Sequence, residues 1–350
     1  MLRFVPRSGR VFSEKQKAKL RPYTGVTAAL LYARGMETAA DAERFLHPEL
    51  EQLHDPFLLS DMRKAVGLID EAKRARRRAV VYGDYDTDGV CAASLLTEAL
   101  RAYGLQADPY LPLRDDGYGL NAAAVEELAK TYCLLVTVDL GISNAAEIVL
   151  AQSLGMQVIV TDHHQLPLAP CPADAVINPL LDGYPFPYLC GAGVAYKLAT
   201  ALHPDNAALL ARLLPLAAVA TIADIVSLTG ENRVLAACGL PLLQNRLGFK
   251  ALCDVAGVKL PVNEGAVAYQ IAPRLNAAGR VADANAAVEL LMTADPAQAQ
   301  RSAKALDAAN TERKRLEAAA VDEAAEQAKT HNFVEKHVLF VRGEGWHKGV

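Results

Sequence analysis

The chain has 350 residues, 52% of them hydrophobic, and a formal net charge of −4. That apolar content supports a large core and two domains or more, while the negative balance gives no support of its own to nucleic-acid binding. No run reaches the length of a membrane span, and Met1 to Pro6 lacks the apolar stretch of a secretory signal, so a cytoplasmic protein without membrane association is expected. Residues 1–55 read as a small helical lead-in, its clearest helix running from Ala39 to Phe45 behind a Thr38 N-cap. Its basic residues (Arg3, Arg7, Arg10, Lys15, Lys17, Lys19, Arg21) form either a nucleic-acid arm or a solvated tail.

From about residue 60 helices and strands alternate. Asp61 to Arg77 is helical and ends in a dense basic run, Lys73 to Arg78, which is either a helix C-terminus with cations against its dipole or a patch for nucleic acid. Ala79 to Tyr82 is a strand and Val90 to Tyr103 a helix. Ala107 to Leu111 is a short strand that Pro109 confines to an edge. Asn121 caps a helix to Lys130, Leu134 to Val138 is an apolar strand, and Asn144 caps a helix to Leu154 that Gly155 stops. Gln157 to Val160 and Ala175 to Ile177 complete the strands. Alternation of this kind predicts an α/β fold with a doubly wound parallel sheet.

After Gly191 the pattern turns helical: Gly191–Leu202, Asn206–Ala220, Asn232–Gln244 and Ala284–Met292. A long Ala-, Lys- and Glu-rich helix then runs from Pro296 to about Lys329, with Ala303, Leu306, Ala309 and Leu316 as its apolar stripe. A helix that long, charged on most faces, reads as a bridge between domains. Val338 to Val341 reads as a new strand, and the chain stops soon after, inside what looks like a further domain, so a fragment is expected. The six cysteines lie scattered with no C-x-x-C pair, which argues against a zinc site or disulfide framework; most read as small buried residues of a reduced protein.

The densest chemistry is Asp84-Tyr85-Asp86-Thr87-Asp88-Gly89, between a buried strand and a helix. Three carboxylates this close repel one another, and a divalent cation is the natural compensation. An EF-hand loop begins this way, but its twelfth position needs Glu where this chain has Leu95, and a helix rather than a strand should precede it. The nucleophile turn of aspartyl-phosphate phosphatases and a plain solvated acidic turn are the other readings. Three further features follow apolar runs or sit in them: Asp139, then Asp162-His163-His164, then Asp224 in Thr221–Val226. Each alone is weak, because paired histidines are usually solvated and a lone buried Asp is often a cap. As an ordered set read as strand ends they converge on one sheet edge. Carboxylates mixed with imidazoles suit Mn²⁺ or Mg²⁺ better than zinc, and their number suggests two ions, about 3.5–4 Å apart in such sites.

The acidic stretch, Val138-Asp139-Leu140-Gly141, Asp162-His163-His164 and Ala223-Asp224 resemble the four motifs of the DHH phosphoesterase superfamily. Thr137–Ser143, Gly230-Glu231-Asn232-Arg233, Ala272-Pro273-Arg274-Leu275-Asn276-Ala277-Ala278-Gly279-Arg280 and Gly345-Trp346-His347 narrow the likeness to the bacterial RecJ-type single-stranded-DNA exonucleases. The chain departs from that pattern at Leu140, where Asn is usual, at Cys91-Ala92 for Thr-Ser, and at Lys348 for Pro. The resemblance implies a DHH domain over 56–295, a connecting helix over 296–331 and the start of a DHH-associated domain over 332–350. It implies one ion held by Asp88, Asp139, His163 and Asp224, and another by Asp84, Asp86 and Asp139, with Asp139 bridging. Asp162 and His164 would act in catalysis, His164 as donor to a phosphate oxygen, and Arg274, Asn276, Arg280 and His347 would meet substrate phosphate, with Asn276 and Gly279 suggesting an ordered loop against the ligand. The activity implied is metal-dependent 5′→3′ digestion of single-stranded DNA in repair and recombination, with a single-strand-binding protein and a helicase as partners. An oligoribonuclease or (cyclic) dinucleotide phosphodiesterase, and a non-catalytic DNA-binding scaffold, are the alternatives.

Overall fold

Among the described residues five strands form one parallel sheet: β1 (Arg78–Gly83), β2 (Gln106–Tyr110), β3 (Leu134–Val138), β4 (Gln157–Thr161) and β5 (Ala175–Ile177), in the order β2-β1-β3-β4-β5. The inner strands are buried on both faces, as expected of a parallel sheet covered by helices on each side. Pro109 does sit on an edge strand, where its missing N–H interrupts no ladder. The computed structural model describes residues 12–112, 117, 119–181, 183–281, 285–329 and 337–346, without the side chains of residues 280 and 281.

The described part of the lead-in has three short α-helices, α1 (Glu14–Lys19), α2 (Gly25–Ala33) and α3 (Ala39–Leu46), around a small core of Leu20, Ala28, Leu31, Tyr32 and Ala42. Thr38 caps α3 in a capping box with Asp41. Helices α4 (Met62–Arg74) and α5 (Thr87–Tyr103) pack on one face of the sheet against Ala79, Val81, Leu134, Val136 and Ile159. Helices α6 (Ala122–Ala129) and α7 (Ala145–Ser153) cover Val80, Tyr82, Leu135, Val158 and Val160 on the other. Part of the basic run is structural: Lys73 lies over the Tyr103 ring, and Arg78 over Tyr132 while pairing with Asp108 at 2.8 Å.

The helical half comprises α8 (Gly191–Leu202), α9 (Ala207–Ala223), α10 (Gly230–Gly239), α11 (Leu247–Ala256), a single turn α12 (Glu264–Ala266), α13 (Ala272–Val281), α14 (Asn285–Met292) and α15 (Pro296–Lys329). It corrects several expectations. The helix expected over Asn232–Gln244 breaks at Gly239 into a 3₁₀ turn, Leu240–Asn245, because Pro241 cannot continue the α ladder. Helix α5 starts three residues before Val90, so Asp88 is helical. Helix α9 runs on to Ala223, so Asp224 is a helix C-cap and not a strand end. Val338–Val341 forms no strand among the described residues; Phe340 is 82% exposed. Of the cysteines, Cys91, Cys190 and Cys253 are buried, Cys171 and Cys238 half-buried and Cys133 exposed, so half rather than most fit the expectation. The first half of α15 packs through Ala299, Ala303 and Leu306; Ala309 and Leu316 are half-buried. No described helix is long and apolar enough to cross a membrane.

Candidate metal centre

β1, β3 and β4 end at one level. Gly83 pairs with Val138 and Val138 with Thr161, so the next residues, Asp84, Asp139 and Asp162, leave the sheet side by side at its carboxyl edge. The first turn closes only with glycine: a Cβ on Gly89 would lie 2.3 Å from the Asp84 carbonyl oxygen. Asp86 caps α5 by accepting the Gly89 N–H at 3.0 Å. Asp88 reaches across to the start of α8, where Gly191 and Ala192 donate their N–H groups to its two oxygens, each at 2.7 Å. The N-terminus of α8, with its free N–H groups, thus faces this carboxylate. The acidic stretch carried no sign of this contact. The available signal was Gly191 itself, where a Cβ would come within 2.5 Å of the Asp139 Cβ.

Asp139 has φ 62°, a left-handed conformation that non-glycine residues rarely adopt. Its N–H donates to the Thr161 carbonyl at 3.0 Å. Thr137 Oγ1 donates to the Leu140 carbonyl at 2.8 Å, and Thr161 Oγ1 to the Thr137 carbonyl at 2.7 Å, bolting the turn from below. The Leu140 side chain is buried in the α6–α7 core, so only its backbone takes part in that hydrogen bonding.

Asp162 orients rather than ligates. Its Oδ1 accepts the N–H groups of His163 (2.7 Å) and His164 (3.1 Å) and lies 2.7 Å from His164 Nδ1, while Oδ2 accepts from Ile142 N at 2.9 Å. Burial alone would raise the Asp162 carboxyl, but the His164 and Ile142 hydrogen bonds outweigh it and hold it below the usual range. The same bond to Asp162 raises the His164 imidazole. His163 stands at the centre: Nε2 is 3.0 Å from Asp139 Oδ1 and 3.8 Å from Asp88 Oδ2, and Nδ1 is 3.9 Å from Asp224 Oδ2.

Among the described residues three groups each bring their donor atoms within 4.8 Å of one another: Asp84, Asp86 and Asp139; Asp88, His163 and Asp224; and Asp139, His163 and His164. Asp139 and His163 each belong to two groups, and His164, expected to stand apart as a phosphate donor, falls in the third. Burial and then the charges of Asp88, Asp86 and Asp84 push Asp139 well above the ordinary carboxyl range. Burial, Asp88 and Asp86 lift Asp224 to about 7, and burial followed by Asp88 raises Asp86. Clustered carboxylates that resist ionisation, with imidazoles and no thiol in the donor groups, fit hard divalent cations.

Of the four residues expected to meet substrate phosphate, Arg274 and Asn276 have partners within the protein. Ala272–Gly279 is helical rather than an ordered loop. Arg274 Nε and Nη2 pair with Asp307 Oδ1 at 2.9 and 2.8 Å, and Nη1 donates to the Gln270 carbonyl at 2.6 Å, so each guanidinium nitrogen has a partner within the protein. Asn276 Oδ1 accepts the Thr87 N–H at 2.7 Å, on the acidic turn itself. The Arg280 side chain and His347 fall outside the described residues. Trp346 Nε1 donates to Glu323 of α15 at 2.7 Å.

A family model described as DHH family, N-terminal domain, matches residues 78–221. The single-stranded-DNA-specific exonuclease RecJ of Bacillus subtilis (strain 168) is 39% identical over 337 residues, covering 93% of this chain and 42% of the relative. A crystal structure of RecJ in complex with Mn²⁺ from Thermus thermophilus is 34% identical with a TM-score of 0.80, covering 92% of this chain and 47% of that one. A crystal structure of exonuclease RecJ bound to manganese is 37% identical with a TM-score of 0.72, covering 77% of this chain and 70% of that one. The chain spans about half the length of the curated relatives it matches. Identity of 37% over 70% of a solved RecJ chain means that this chain belongs to the RecJ family of DHH proteins.

Proposed function

We propose that this chain hydrolyses phosphodiester bonds of single-stranded DNA from the 5′ end with the aid of two divalent cations, Mn²⁺ or Mg²⁺, in repair and recombination. The observation that carries the reading is three donor groups at one sheet edge, linked through Asp139 and His163. The substrate class comes from the names of the relatives. Polarity, biological role, and a single-strand-binding protein and a helicase as partners rest on the family resemblance. Six unpaired cysteines fit a reducing compartment such as the cytoplasm.

In this reading Asp84, Asp86 and Asp139 hold one ion, and Asp88, His163 and Asp224, with Asp139, the other. When bound, the ions supply positive charge at the phosphate and lower the pKa of water. Asp162 fixes the His164 ring through Nδ1 and favours its protonated form, which leaves Nε2 to donate to a phosphate oxygen. Arg280 and His347 are assigned to substrate phosphate on the resemblance alone. Phosphate contacts position a strand without specifying it, so sequence preference is slight.

The test is digestion of a 5′-labelled single strand, a blunt duplex and a dinucleotide, with Mn²⁺ and with chelator. Single strands should be shortened from the labelled end, the duplex spared, and all activity lost with chelator. Good cleavage of the dinucleotide with poor cleavage of the strand favours a small-substrate phosphodiesterase. Metal-dependent strand binding without cleavage favours a scaffold, and unchanged hydrolysis by metal-stripped protein ends the two-metal reading.

A further inference from the structure

Helix α13 holds the acidic turn at the two residues that alternate with its carboxylates. Thr87, between Asp86 and Asp88, opens α5, so its N–H has no partner within that helix. Asn276 Oδ1 accepts it at 2.7 Å. The Thr87 hydroxyl lies 2.7 Å from the same oxygen and 3.1 Å from the Ala272 carbonyl. Tyr85, between Asp84 and Asp86, meets α13 at Gly279, where a Cβ would lie 2.5 Å from the Tyr85 carbonyl oxygen. Backbone this close leaves no room for a side chain.

Helix α13 is in turn held by α15. Arg274, two residues before Asn276, bridges Asp307 of α15 and the Gln270 carbonyl, and its side chain is only 12% exposed. Gln270 lies in a π-helical turn, Val267–Ile271, that runs straight into α13. Such turns occur frequently at functional sites. Ala299, Ala303 and Leu306 bury the adjoining stretch of α15 in the main core. A continuous series of contacts therefore runs from the long helix through Arg274 and α13 to the backbone between the three aspartates.

We infer that Asn276 is a positioning residue that sets the geometry of the metal-binding turn through Thr87, and that the Arg274–Asp307 pair braces it from α15. The inference rests on the metal-binding reading of the turn and not on the identity of the substrate. What Asn276 contributes is its acceptor oxygen. A residue that gripped phosphate would instead need its amide donor. The two roles separate in the Asn276→Asp variant, which keeps an acceptor opposite Thr87 and loses the donor.

Mn²⁺ affinity is measured on the substrate-free chain by calorimetry and by the Mn²⁺-induced rise in melting temperature, followed by KM and kcat on a single strand. Asn276→Ala should weaken Mn²⁺ binding about 10- to 100-fold, the range seen when outer-shell partners of metal ligands are removed. Asn276→Asp should restore affinity to the parent level or better, and Asp307→Ala should lose a few-fold in the direction of Asn276→Ala. If Asn276→Ala leaves metal affinity unchanged and raises KM alone, and Asn276→Asp raises KM with it, the residue is a substrate contact and the inference is overturned. If Asn276→Ala does not fold, Gly279→Ala carries the same expectation, since its Cβ displaces the Tyr85 carbonyl while leaving the Asn276 bond in place; parent-level Mn²⁺ affinity there overturns it equally. A parent chain that binds Mn²⁺ but cuts no strand refutes the nuclease reading and leaves this one standing.

Discussion

The molecule buries charge in two places and treats it in opposite ways. Behind α8 and α10, Lys197 and Glu231 are each 1% exposed and meet at 2.6 Å. Lys197 Nζ also donates to the His54 carbonyl, while Glu231 accepts the His54 N–H at 2.9 Å and the Tyr184 hydroxyl at 2.5 Å. One cation, one anion and a donor for each carboxylate oxygen make this cluster complete, and it fastens the end of the lead-in, at His54, to the helical half. At the sheet edge Asp84, Asp86, Asp88, Asp139 and Asp224 gather around two imidazoles, and burial followed by their mutual repulsion raises the carboxyls of Asp139, Asp224 and Asp86. A buried cluster balanced by its own residues needs nothing further. A buried cluster of one sign is a place for a ligand of the other.

The largest effect that would test this contrast is Asp139→Ala. Loss of an ordinary ligand weakens one ion, whereas Asp139 belongs to two donor groups. Activity should fall by several orders of magnitude, as for groups that act as a unit. Calorimetry should find fewer than two ions bound. Without metal the variant should melt no lower than the parent, because one repelling charge has gone. Two ions bound, with cutting near the parent rate, would remove Asp139 from its bridging position.

Glu231→Ala should behave in the reverse manner. It leaves Lys197 buried without its anion and should cost about 3–5 kcal/mol of stability, the usual loss when one partner of a buried pair is removed. Mn²⁺ affinity of the folded fraction should be unchanged. Urea unfolding beside calorimetry reads both. A variant as stable as the parent, or one with impaired metal binding, would mean that the two clusters are not separate in function.

The difference between the clusters was only partly legible in the sequence. β1, β3 and β4 were readable because each is an apolar run delivering an aspartate, and Pro109 gave the edge. Asp224 was found but misplaced: Thr221–Val226 is too short an apolar run for its period to separate strand from helix. Asn276 and Gly279 are weak helix formers and read as a loop, but packing against the acidic turn and α15 overrides propensity there. Val338–Val341 has the composition of a strand, but a strand is made by its partner as much as by its residues. The contact from Gly191 and Ala192 to Asp88 spans more than 100 residues, and no local pattern encodes it. The Lys197–Glu231 pair was invisible for the same reason, since charge gives no sign of burial until the helices are packed.

The smallest expected effect separates the clusters by pH. A carboxyl whose folded pKa stands above its unfolded value, about 3.9 for Asp, binds more protons folded than unfolded between the two, so stability falls as pH rises. Asp139, Asp86 and Asp224 are all raised, Asp224 to about 7. His164 acts in the same sense: its raised imidazole contributes stability that is full below about 6.5 and is lost as pH climbs through the folded value. Asp162, lowered, contributes stability lost only as pH falls through its folded value, below this window. Metal-stripped protein should therefore melt progressively lower from pH 5 to pH 8. Saturating Mn²⁺ should flatten or reverse that slope, because the ions bind the deprotonated carboxylates. Asp224→Asn should reduce the slope of the stripped protein, and Glu231→Ala should lower the curve while leaving in place the change of slope that Mn²⁺ produces. A melting temperature that holds level or rises from pH 5 to pH 8 without metal would show that the acidic cluster finds its compensation inside the fold, as Lys197 and Glu231 do.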